Sequence, residues 1–346
     1  MLRPLAELID DYRIWHKVTF QRGRILKTSG SSWEQFDREE HYQNPRLVYA
    51  ADGVVPAIST STSSTGGLAE VTRFTFPTLH PIRGYPYAET NTAAGWLYRN
   101  LRSGRAPVVV LAHGWAHEGA RALETLYIRP LVRAGFSVAM LSQPFHFERA
   151  PAGTYSGELM VTGDVVLTVE AFRQAVADLN GLVNWIRDSS GDLKVGVMGY
   201  SLGGYIAGLL ACLRDDLDFV VIAGAGHSLV SPILDTGLGV NVREDLSWSG
   251  MDRREDLERA WGIISPGRLR LRVPRERVLL LAGFHDRIML RQSVESLWER
   301  WSRPAVRFER EGHYTLLAMP GRIVRRSLPF LRLRLEEDRW EPRIPE

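Results

Sequence analysis

Cysteine is almost absent from this chain: Cys212 is the only one in 346 residues. An intrachain disulfide is therefore excluded. Cys212 lies inside an apolar stretch, Tyr205 to Leu213, and reads as a small core residue rather than a reactive thiol. Lysine is nearly as scarce. Of 43 basic residues only Lys17, Lys27 and Lys194 are lysines, a bias that fits genomic base composition. No basic run is interleaved with aromatics, so no nucleic-acid surface is expected. The densest basic stretch, Arg322 to Arg334, alternates with Leu, Ile and Val, the pattern of an amphipathic terminal helix with a solvated face. No apolar run approaches the length of a membrane span. Glu7, Asp10 and Asp11 interrupt any secretory apolar core, so a cytoplasmic location is expected. There is no internal repeat.

What is present is the composition of a soluble globular protein, 45% hydrophobic and 24% charged with a net charge of +3. Residues 1–94 read as an N-terminal extension. Leu2 to Trp15 has the pattern of a short helix, and the Ser/Thr/Gly stretch Ser59 to Gly67 reads as a loop or linker. Val71 to Phe76 alternates as an antiparallel strand should, with Gly95 to Tyr98 as a candidate partner. Residues 95–346 then alternate strand and helix patterns. Short apolar runs at Val108–Ala112, Phe136–Leu141, Lys194–Gly199, Phe219–Ala223, Val278–Ala282 and Val306–Phe308 read as strands. Val165–Ile186, Leu202–Leu213, Gln292–Trp301 and Met319–Leu333 read as helices between and after them. This predicts an α/β domain with a mostly parallel sheet and helices on both faces. Residues 227–277 contain no such strand and read as a small lid-like insertion, with helical spacing over Asp252–Ile264.

Gly199-Tyr200-Ser201-Leu202-Gly203-Gly204 follows a strand and precedes an apolar helix. A serine between two glycines in that context suits a tight turn in strained backbone, which lifts the hydroxyl above the strand ends. It also sets the Leu202 N–H at a helix start, where orphan donors favour an anion. His113-Gly114-Trp115 ends the first core strand, Asp286 follows Val278–His285, and Gly312-His313 follows the last strand.

These segments, HGW at 113–115, GYSLGG at 199–204, AGFHD at 282–286 and EGH at 311–313, resemble the α/β-hydrolase superfamily over about residues 95–335. Within it the pattern is similar to uncharacterised hydrolase-domain proteins and to dienelactone-hydrolase or acetyl-esterase-like branches. The resemblance implies an α/β-hydrolase fold and a serine esterase-type hydrolase that cleaves a carboxylic ester or thioester through an acyl-enzyme. Ser201 is then the nucleophile, His313 the base and Asp286 the acid that orients it, in the chain order of this fold. Asp235 and Asp252 are alternative acids after the preceding strand, a position some family members use. The backbone N–H groups of Leu202 and Trp115 form the oxyanion hole. His113 is expected to hold its loop and, with Tyr200, His146 and Tyr314, to face the substrate. Trp115, Phe145, Phe147, Tyr155, Trp248 and Tyr314 are the aromatics expected near the pocket.

No cofactor is implied, and the expected partner is a small-molecule ester. A metal is not expected, although His113, His117, His146, His227, His285 and His313 all fall at or after predicted strand ends. Two rivals remain open: a non-catalytic binding protein of this fold, and an acyltransferase or perhydrolase using the same residues. Acyl preference and oligomeric state are not legible.

Overall fold

The structure is a computed structural model that describes residues 2–20, 32–49, 53–102, 105–116, 119–191 and 193–335. His117 therefore lies outside the described residues. Nine strands form one sheet: β1 (Ser59–Gly66), β2 (Ala69–Pro77), β3 (Thr92–Asn100), β4 (Val108–Ala112), β5 (Ser137–Leu141), β6 (Val195–Tyr200), β7 (Val220–Ala223), β8 (Val278–Gly283) and β9 (Ala305–Glu309). Their spatial order is β1-β2-β3-β5-β4-β6-β7-β8-β9. The pairs β1–β2, β2–β3 and β3–β5 are antiparallel, and every pair from β5 to β9 is parallel. The parallel strands β4 to β8 are buried throughout, because helices cover both faces, and their mostly apolar sequences, without polar alternation, follow from that.

The stretch Ser59 to Gly67, expected as a loop, is instead the edge strand β1, registered on β2 from Ser59↔Thr75 to Gly66↔Ala69 with an irregularity between Thr62 and Ser64. Ser59, Thr60 and Ser61 are exposed. An edge strand against water needs no apolar face, so its polar sequence carries no alternation to read, and its threonines are β-branched residues that suit an extended chain. The antiparallel partners β2 and β3 fall where alternation placed them.

The helices used below are α1 (Leu2–Phe20), α2 (Val165–Ser190), α3 (Leu202–Leu213), α4 (Val240–Trp248), α5 (Arg254–Ala260), α6 (Arg291–Arg300), α7 (His313–Leu317) and α8 (Arg322–Leu335). One face of the sheet packs against α2 and α3, through Leu167, Phe172, Leu179, Ile206 and Leu210 among others. The other face packs against α8 and the helical segment 120–133, through Tyr127, Leu131, Ile323 and Leu331. α2 starts at Asp164, whose carboxylate accepts from the N–H groups of Val166 and Leu167 at 3.1 and 3.0 Å and so satisfies two orphan donors.

A buried ion pair ties the first hundred residues to the parallel sheet. Arg149 meets Asp178 of α2 at 2.8 Å with neither side chain exposed. Arg149 also donates to the carbonyls of Thr90 and Ser142, and Asp178 accepts from the Thr78 hydroxyl and the Leu79 N–H. Each charge is thus matched by several hydrogen bonds, which is what its burial requires.

In the segment 227–277, Trp261, Ile263, Ile264 and Leu269 are fully buried in the core, whereas Leu238, just before α4, reaches the cavity described next. Among the described residues, no helix is long and apolar enough to cross a membrane.

Candidate active site

The strand order reverses at β4, with β5 on one side and β6 on the other. A crevice forms at the carboxyl ends of strands where such an order reverses. His113-Gly114-Trp115 leaves β4 there, and Ser201 leaves β6 beside it.

Ser201 holds φ 52° and ψ −122°, a conformation L side chains rarely adopt, and its N–H donates to the Ala223 carbonyl at 2.8 Å. The glycines around it are required by contact. A Cβ on Gly199 would lie 2.0 Å from the Gly203 carbonyl oxygen, and one on Gly203 2.0 Å from that of Ala112. The turn is so compressed that α3 starts directly against β4 and β6.

His313, the first residue of α7, places Nε2 3.1 Å from Ser201 Oγ. Its Nδ1 donates to Asp286 Oδ2 at 2.8 Å. Asp286 Oδ1 accepts from the N–H groups of Ile288 and Met289 at 2.8 and 2.6 Å, which orients the carboxylate. Burial disfavours the His313 imidazolium, but the Asp286 charge and hydrogen bond, with Asp10, outweigh it and raise the pKa above the ordinary histidine value. Asp235, one alternative acid, is instead paired with Arg254 of α5. Arg287 pairs with Asp11 and leaves Asp286 to the histidine.

A cavity of about 280 Å³ opens on Ser201 and His313. Its apolar wall is Trp115, Leu126, Leu238, Ile288 and Leu317, with Gly114, Tyr200 and Tyr314 also at the surface. Tyr200 stacks on Tyr127, ring centroids 4.2 Å apart, and is itself nearly buried. Trp115 is pinned by an Nε1–H bond to the Gly157 carbonyl at 2.7 Å.

His113 and His146, expected to face the substrate, do not line this cavity. Both are fully buried behind it and hold loops. His113 Nδ1 donates to the Gly114 carbonyl at 2.8 Å, and its Nε2 accepts from the Gln143 N–H at 3.0 Å. His146 Nδ1 donates to the Pro144 carbonyl at 2.8 Å, and its Nε2 accepts from the Ala116 N–H at 3.2 Å. Those partners require neutral rings. For His113, burial lowers the pKa to about 4. Of the six aromatics expected near the pocket, Trp115 and Tyr314 line it. Phe145 is core, Phe147 packs on His113, Trp248 is exposed, and Tyr155 borders a neighbouring smaller cavity. No group of three or more metal-ligating side chains occurs among the described residues.

Sequence reasoning placed a helix over Leu2–Trp15, which is α1 (Leu2–Phe20), but missed its place against the site. Ala6, Asp10 and Ile14 form its buried stripe, and Arg13 and Lys17 reach the cavity wall. Lys17 Nζ donates to the Trp115 carbonyl at 3.3 Å, and the Arg13 guanidinium lies 5.1 Å from the Tyr314 ring centroid. An aspartate at the apolar positions of a helix was the available signal, since a buried carboxylate needs donors.

A family profile described as alpha/beta hydrolase fold matches residues 107–236. Two curated relatives, uncharacterized proteins from two strains of Mycobacterium tuberculosis, are each 31% identical over 183 residues, 52% of this chain and 42% of theirs. The chain thus spans less than half the length of these relatives. Among solved structures, acetyl xylan esterase 1 from Thermoanaerobacterium sp. has a TM-score of 0.58 at 18% identity, covering 92% of this chain and 98% of that one. An acetyl xylan esterase from Paenibacillus sp. has a TM-score of 0.60 at 13% identity with the same coverages. Acylaminoacyl peptidase from Pyrococcus horikoshii has a TM-score of 0.57 at 15% identity, covering 81% of this chain and 44% of that one. At these identities the structural likeness concerns the fold.

Proposed function

We propose that this chain, which belongs to the α/β-hydrolase superfamily, is a serine hydrolase acting on a carboxylic ester or thioester through an acyl-enzyme on Ser201. One observation carries the reading: an unbroken hydrogen-bonded line from Asp286 through His313 to Ser201, ending on a hydroxyl that opens into a cavity. Two solved structures of similar fold are acetyl xylan esterases, which agrees with it.

In this reading Ser201 Oγ attacks the substrate carbonyl carbon while its proton passes to His313 Nε2. The carbonyl π electrons move onto oxygen, held by the backbone N–H groups of Leu202 and Trp115. Collapse breaks the bond to the leaving alcohol or thiol, which takes the proton from His313. Water, deprotonated by the same imidazole, then releases the acid and restores Ser201. Asp286 keeps the imidazole in the tautomer with Nδ1 protonated and stabilises the transient imidazolium. The apolar wall and the modest cavity favour a short or medium acyl group over a long chain.

The test is a fluorophosphonate probe on the parent and on Ser201→Ala, followed by p-nitrophenyl esters of rising acyl length. Labelling and turnover are expected in the parent only. Retained turnover in Ser201→Ala would remove the assignment, and an unlabelled, folded parent would favour a binding protein of this fold. Raising the alcohol concentration separates hydrolysis from acyl transfer, since an acyltransferase would divert product to the new ester.

A further inference from the structure

Asp10 has no solvent exposure, and its carboxylate ends on the base of the candidate site from more than three hundred residues away in sequence. Oδ2 accepts from the His313 N–H at 2.7 Å and from the Arg287 N–H at 3.1 Å. Oδ1 accepts from the Tyr314 N–H at 2.9 Å. One side chain thus joins the first turn of α7, which carries the base, to the loop after β8, which carries the acid. All three partners are donors, so the role suits the ionised, acceptor-only carboxylate. A second observation points the same way. A Cβ on Gly312 would lie 2.7 Å from Asp10 Oδ2 and 3.0 Å from the Ala6 carbonyl oxygen, so the residue before His313 must be glycine for α1 to seat.

We infer that Asp10 is a positioning residue for the Asp286–His313–Ser201 line, and that α1 completes the active site by delivering it; the inference rests on the serine-hydrolase reading. Its physical content is twofold. It satisfies three backbone donors, that of His313 at a buried position, and so holds His313 in the orientation that puts Nε2 on Ser201 Oγ. It also adds a second negative charge beside the imidazolium that forms during the reaction. The charged groups that bear on His313 are Asp286 from the loop after β8 and, from α1, Asp10, which favours the imidazolium, and Lys17, which opposes it.

The experiment compares the parent chain with Asp10→Asn, Asp10→Glu and Asp11→Asn. Asp11→Asn is the control, because it removes the ion pair of α1 with Arg287 Nε at 3.2 Å without touching the donors on α7. The readouts are kcat and KM on a p-nitrophenyl ester, the melting temperature, and the NMR titration of the His313 imidazole. Asp10→Asn is expected to lower kcat by about 10- to 100-fold with KM little changed, the scale of a misplaced catalytic group, and to move the His313 titration to lower pH. Asp10→Glu keeps the charge but displaces it, so kcat stays low while the titration returns towards the parent. Asp11→Asn is expected to match the parent in both. An unchanged kcat and titration in Asp10→Asn overturn the inference, as does an equal loss of kcat in Asp11→Asn. The titration needs no turnover, so it judges Asp10 even where an unlabelled Ser201 has removed the hydrolase reading.

Discussion

Gly203 sits where no other residue fits: a Cβ there would lie 2.0 Å from the carbonyl oxygen of Ala112 at the end of β4. This contact sets the turn bearing Ser201 against the loop bearing Gly114 and Trp115, so the proposed nucleophile and oxyanion donors share one rigid corner. Gly203→Ala forces backbone against backbone, with no flexible side chain to give way. It is expected to cost about 1–3 kcal/mol, the usual scale of overpacking, and to abolish fluorophosphonate labelling. Urea denaturation and probe labelling check the two effects, and a stable, fully labelled variant would contradict the steric argument.

The Asp286–His313 bond makes a separate prediction. Asp286→Asn leaves the shape intact but can present an N–H to Nδ1, which favours the tautomer with Nε2 protonated and unable to accept from Ser201. A fall in kcat of about 10⁴ is expected from that mechanism, with a melting temperature near that of the parent. Single-turnover acylation kinetics measure it directly. A loss below tenfold would return Asp235 or Asp252 to consideration as the acid.

The raised pKa of His313 has opposite consequences for rate and for stability. The base must be neutral to act, so kcat/KM is expected to rise with pH through a midpoint above the ordinary histidine value of about 6.5. The folded state holds the imidazolium more tightly than the unfolded chain does. Its contribution to stability is therefore complete below the unfolded pKa and is lost as pH rises through the folded one. Activity and this part of stability should change in opposite directions over one window. A kcat/KM profile alongside denaturation at several pH values tests it, and an acidic limb centred well below 6.5 would count against His313 as base.

Arg149 is expected to be a stability position with no direct part in the chemistry. Arg149→Met removes one partner of a fully buried pair and leaves Asp178 with an uncompensated charge, at a cost of about 3–5 kcal/mol. Replacing both residues by apolar ones should restore much of the loss, because no lone charge remains. A double-mutant cycle by chemical denaturation decides this. Equal destabilisation of the single and double variants would show that packing, not charge, governs the site.

The elbow was legible because its requirement is local: a strained serine between glycines, with a strand before it and an apolar helix after it, is written in the one segment Val195–Leu213. Asp286 was legible for a related reason, since it follows the buried strand β8, whose apolar run marks where it ends, whereas His313 was marked by the Gly-His pair after the short strand β9. The polar edge strand β1 was not, because pairing at the edge of a sheet leaves no alternation in Ser and Thr. His113 and His146 were placed on the correct loops, but only the packing shows that both rings turn away from the cavity and bond backbone groups instead.

By itself, then, the sequence determined the fold class, the strand-turn-helix around Ser201 and the chain order of the three interacting side chains, because sterics and hydrophobic burial act within short windows. The tertiary structure alone decided what surrounds them. The docking of α1 brings Asp10 onto the backbone of His313, and Leu238 and Ile288 close the cavity wall from distant parts of the chain. Such contacts depend on how whole elements pack, and no spacing within either segment encodes its partner.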